Sequence, residues 1–238
     1  MDRGPLSGLC ERLGIHHGTF AVCITSFGSN LAHTVFMFYY VKVFLSYHIS
    51  EGWFQFAQVL FLLWNALNDP LFGYFQDMGD SWMRNRKKCI LLGAPFFALS
   101  FLLPWFPWTD TQSPSWITGV HMIVALFFYD GFFSFVLLAW SALFAENTTD
   151  HGGRVRAVKY SQIAALIAVN VIVVMEKLSN SLQDMASFQV GTVVIAMIAF
   201  CCWSYTGMFA SSRVAQVQSF KHVTEIDNRR DLSRLDFV

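Results

Sequence analysis

Apolar residues gather in six runs along the chain, at 19–44, 53–75, 89–105, 116–144, 157–175 and 188–211. A helix needs about 20 such residues to cross about 30 Å of hydrocarbon, and each run meets or approaches that length. The third is the shortest and carries Pro95 and Pro104, so its outer end is the least regular. The polar connections at 45–52, 76–88, 106–115, 145–156 and 176–187 are short, which makes successive helices antiparallel neighbours in one bundle. The pattern predicts an all-α membrane protein. Its six-transmembrane-helix bundle covers 19–212, between polar tails at 1–18 and 213–238. The first 18 residues lack an apolar core before a small-residue cleavage site, so the first span reads as an uncleaved signal-anchor.

Composition sharpens this picture. The chain is 55% hydrophobic, 17% aromatic and 13% charged, whereas a soluble domain carries about 25% charged residues. With half that charge and 25 Phe and 8 Trp, the surface suits a lipid bilayer. Net charge is zero, but the charges are segregated. Of 16 Lys and Arg, only Lys42 and Lys177 fall on one side of a six-span topology. The rest lie in the two tails, around Arg84–Lys88 and around Arg154–Lys159, which predicts that both termini are cytoplasmic. The formal glycosylation sequon Asn147-Thr148-Thr149 then faces the cytoplasm and is expected to be unmodified. Trp105, Trp108 and Trp116 flank the outer loop between spans three and four, as an interfacial aromatic belt would.

The five cysteines have no metal-ligand spacing and read as small hydrophobes. Cys201-Cys202, near the inner end of span six, are candidates for palmitoylation. The carboxyl tail reads as solvated chain, although its last residues Asp236-Phe237-Val238 could enter a groove that binds carboxyl termini. No nucleophile–base pair, phosphate loop or metal cluster is evident, so neither an enzyme nor a resident cofactor or metal is expected, and no nucleic-acid partner.

The most informative stretch is Trp64-Asn65-Ala66-Leu67-Asn68-Asp69-Pro70-Leu71-Phe72-Gly73, inside the second run. An ionisable residue within a span is costly, about 2.5–3.5 kcal/mol on insertion scales, and by default marks a site. Asn65, Asn68 and Asp69 stand at i, i+3 and i+4, on one helical face. Their oxygens suit a small cation or a hydroxylated solute. Asp130 falls near mid-bilayer in span four and is expected to turn inward, as ligand or as interhelical partner. His33 lies at similar depth in span one. A packing role is favoured for it, and proton coupling is the alternative. His121 has no assigned role.

These residues also carry a resemblance. The Trp64–Gly73 stretch resembles the second-helix signature of the glycoside-pentoside-hexuronide:cation symporters (melibiose permease-like) of the major facilitator superfamily. His33–Val41 and Phe128-Tyr129-Asp130-Gly131-Phe132 are similar to its transmembrane protein 180 branch. The resemblance implies the amino-terminal half of a twelve-span fold, with the solute path between two six-span halves. It implies cation or substrate binding by Asn65, Asn68, Asp69 and Asp130, with Na+ or H+ as coupling ion. The chain departs from the family pattern in four places. The family usually has an acid where Asn65 stands, and a second acid where Val136 precedes Trp140-Ser141. The sugar-contacting acid of span one falls at Ser26 or Asn30, and the sugar-contacting Arg of span five falls near Gln162. Gly73, Asp77, Arg84, Arg86, Lys87 and Lys88 resemble the family's cytoplasmic gating loop. Asp150, Arg154 and Arg156 resemble the charged segment that supports that gate. The implied activity is cation-coupled sugar symport by a half-length form, which would need a homodimer or a complementary half. The alternative is a non-transporting truncated membrane protein or interaction module.

Overall fold

The computed structural model describes residues 17–79, 82–108, 114–147 and 151–210. The tails at 1–16 and 211–238, with the expectations attached to them, lie outside the described residues. Among those described the protein is entirely helical: α1 (His17–Ser46), α2 (Glu51–Met78), α3 (Arg86–Leu102, extended by a 3₁₀ turn, Leu103–Trp105), α4 (Ser115–Asn147), α5 (His151–Val169), α6 (Val171–Leu178) and α7 (Met185–Phe209). The irregular outer end of span three is that 3₁₀ turn, whose second residue is Pro104.

All six runs appear as helix, and two expectations need correction. By length and composition alone, five helical segments are apolar enough to cross a membrane. The exception is α2, whose 28 residues reach far enough but include Gln55, Gln58, Asn65, Asn68, Asp69, Gln76 and Asp77. The fifth span is two helices, α5 and α6, broken at Asn170. There the Asn170 side chain bonds back to the Leu166 carbonyl at 2.8 Å, competing with the helical ladder. The expected loop at 145–156 is mostly helix, because α4 runs to Asn147 and α5 resumes at His151.

The helices pack in the order α2–α4–α3–α7–α1–α5, and α1 also touches α4. Exchanging α1 with α4, α2 with α5 and α3 with α7 maps this set of neighbours onto itself. The bundle is thus two three-helix units arranged as a repeat, of the kind from which many transporters are built.

Lipid tails are as apolar as leucine, so burial alone does not hold helices together in a bilayer; close packing and interhelical hydrogen bonds do. Both are present. Gly28 lies so close to α7 that an added Cβ would come within 2.7 Å of the Cys202 Cβ, and one on Gly93 within 2.4 Å of the Val136 Cγ1. Thr25 and Thr206 share a hydrogen bond between α1 and α7. The Trp140 indole N–H donates to the Val22 carbonyl at 2.9 Å, and the Tyr39 hydroxyl donates to Glu176 at 2.7 Å. His121 is bound to the Leu103 carbonyl at 2.8 Å, which ties α4 to the 3₁₀ turn. Trp105, Trp203, Phe97, Phe101 and Phe188 fill the centre.

Candidate functional site

Asp130 is the centre of the polar cluster. It is 7% exposed at the middle of α4, where Gly131 leaves room for the Trp64 indole of α2. Trp64 stacks on Phe127, centroids 5.1 Å apart, and this sets the rotation of α2 against α4. The next turn of α2 then reaches Asp130. The Asn65 amide donates to Asp130 Oδ1 at 3.1 Å, and the Asn68 amide donates to Oδ2. Each carboxylate oxygen therefore holds one N–H. A carboxylate accepts and does not donate, so the amide nitrogens must face it. This alters the expected arrangement, in which amide oxygens would coordinate a cation.

Asp69 sits differently. At about 100° per residue, Asn68 and Asp69 fall on either side of Asn65 and not in one line. Asn68 is fully buried on the α4 side. Asp69 is exposed on the isolated bundle and has no hydrogen-bond or ion-pair partner among the described residues. Asn65, Asp69 and Asp130 line one cavity of about 440 Å³ between α1, α2 and α4, together with His33 and Tyr129. Phe36, Phe61 and Phe133 form its aromatic walls. His33 Nδ1 lies 3.3 Å from the Tyr129 hydroxyl, and its ring stacks on Phe133 at 5.0 Å. A larger crevice of about 610 Å³, between Trp64, Phe96, Phe128 and Phe135, is lined by apolar side chains and suits acyl chains, not a polar solute.

At the other end of α2 lies a latch. Arg86 pairs with Asp77 at 2.5 Å, and its guanidinium donates to the Gln76 carbonyl at 3.1 Å. Gln76, buried, donates to the Phe135 carbonyl of α4 at 2.7 Å. One cation thus clamps the end of α2 while the adjacent amide pins α2 to α4. Gln76 was not among the residues expected to act, though an amide one position before Asp77 in an apolar helix is a usable signal. Arg84 is exposed and outside the latch, as are Arg154 and Arg156 on α5. Gly73 meets nothing within 4 Å, so the structure gives no packing reason for a glycine there. Asp150 lies outside the described residues.

The remaining positions of the expected cation and sugar sites do not converge. The Asn30 amide donates to the Ser26 carbonyl within α1 at 2.7 Å. Val136 is buried against Gly93. Gln162 is exposed on α5, away from the cavity.

Comparison with known proteins accounts for this scaffold. The MFS/sugar transport protein family matches residues 18–235. The chain belongs to that family. It is also 29% identical to Transmembrane protein 180 of Gallus gallus over 186 residues, which is 72% of this chain and 34% of that protein. Against Transmembrane protein 180 of Mus musculus it is 30% identical over 183 residues, 71% and 34% of the two chains. The chain therefore spans about a third of the length of these curated relatives. No solved structure matches it. It is a multi-pass membrane protein of the major facilitator superfamily, in contact with the lipid bilayer, and similar to transmembrane protein 180.

Proposed function

We propose that the chain forms the cavity-bearing half of a cation-dependent solute carrier, with a second six-helix half, or a second copy, closing the cavity. The observation that carries this reading is Asp130 held by Asn65 and Asn68 on the wall of a cavity that also presents an unpaired Asp69. A structural acid would need no open cavity, and ionisable groups at membrane depth characteristically face such a pathway. In this reading Asp69 binds the cation. Asp130, fixed by its two amides, supplies a second negative charge, and His33 with Tyr129 forms the opposite wall. The Arg86–Asp77 latch acts as the cytoplasmic gate, with both termini on that side. The family description makes a sugar the default solute, and Na+ or H+ the coupling ion by resemblance.

Alternating access can be tested before the solute is known. Met37 lines the cavity and is 53% exposed. With the five native cysteines replaced, Met37→Cys in vesicles of the full-length product should react with a membrane-impermeant maleimide from both faces. The balance should shift with an imposed Na+ or proton gradient, and Asp69→Asn should remove that shift. Labelling from one face only, under every gradient, would favour the non-transporting reading.

A further inference from the structure

The charge lining the cavity narrows the solute. Both amide nitrogens nearest the site are committed to Asp130. The Ser141 hydroxyl is committed to the Leu138 carbonyl at 2.9 Å, and the Tyr129 hydroxyl meets His33. One carboxylate, in contrast, is left over. Asp69 lines the cavity and has no hydrogen-bond or ion-pair partner among the described residues. Lys and Arg are absent from the cavity lining, which holds two aspartates. The apolar part of the wall is shared between aromatic rings and aliphatic side chains.

A sugar is uncharged and brings nothing to balance two carboxylates. This cavity carries two carboxylates and no Lys or Arg, and it offers ring faces that attract cations. We propose that the solute is a protonated amine with a small apolar or aromatic body. Its ammonium sits at Asp69, and its body lies among Phe36, Phe61 and Phe133. The proposal rests on the carrier reading of this cavity and replaces the sugar by an organic cation, whose ammonium competes with the coupling ion for Asp69. A volume of about 440 Å³ accommodates a solute of this kind.

The experiment uses the Met37→Cys reporter in the same vesicles, with three probes: 2-phenylethylammonium, its neutral isostere 2-phenylethanol, and a disaccharide. Saturating amine should slow labelling at least tenfold, and neither neutral probe should do so. Asp69→Asn should abolish the protection while labelling continues, and Asp69→Glu should restore part of it, which separates loss of charge from misfolding. Protection by the disaccharide and not by the amine would overturn the organic-cation class yet leave the carrier reading intact. Protection by none of the probes, or equal protection in Asp69→Asn, would also overturn it. Failure of the carrier reading shows separately, as one-sided labelling without any probe.

Discussion

Replacing Asn68 by leucine removes one of the two N–H groups that hold Asp130. Asn68 is fully buried and Asp130 is 7% exposed, so water has little room to substitute. A hydrogen bond to a charged group contributes about 1.5–3 kcal/mol, whereas interhelical side-chain bonds in a membrane protein average about 0.6 kcal/mol. The single substitution does not separate these values. Leucine also deletes the unpartnered Asn68 Oδ1, and removing a buried orphan of that kind returns about 1–3 kcal/mol. A double-mutant cycle with Asp130→Leu does separate them, because the orphan is removed with and without the carboxylate and largely cancels. The expected coupling is about 1.5–3 kcal/mol, roughly a tenfold to hundredfold change in unfolding constant at about 1.4 kcal/mol per decade. The measurement is reversible unfolding in bicelles by detergent titration, followed by tryptophan fluorescence. A coupling at or below about 0.6 kcal/mol would refute the view of Asp130 as a buried anion held by amides.

Four further outcomes are expected. Gly93→Leu should destabilise the bundle by about 1–3 kcal/mol through overpacking against Val136, and Val136→Ala should relieve most of that loss in the same unfolding assay. Asp77→Asn should cost under about 1 kcal/mol of stability, because its side chain is 67% exposed. Asp184, in the loop before α7, caps that helix, and the Ser187 hydroxyl, then the Ser187 backbone N–H, hold its carboxyl below the ordinary value. Its stabilisation is therefore present above the ordinary carboxylate range, near about pH 4, and is lost as pH falls through the lowered value. Asp184→Asn keeps the cap and should flatten the acid limb of a stability-versus-pH curve. Asn147→Gln should leave electrophoretic mobility unchanged with and without glycosidase, because the proposed topology puts that sequon in the cytoplasm; a shift would reverse the orientation.

The helical, membrane-embedded nature of the chain was readable from its sequence because it depends on local quantities. Twenty apolar residues suffice to specify a span whatever they pack against, and short polar connections dictate antiparallel neighbours. The second helix was the instructive exception, since the residues that lower its hydropathy are the ones that make the site. The break at Asn170 has no counterpart in the apolar pattern, because a side chain that competes with its own backbone leaves no mark on apolar periodicity. The sequence also brought out Asn65, Asn68, Asp69 and Asp130 as polar groups too costly to be incidental. It did not say which of them would satisfy one another. That depends on how α2 is rotated against α4, and the Trp64 indole over Gly131 decides it. Only the packed bundle turns Asn65 and Asn68 into donors for Asp130 and leaves Asp69 free, because pairing across 60 residues is a property of helix contact and not of spacing.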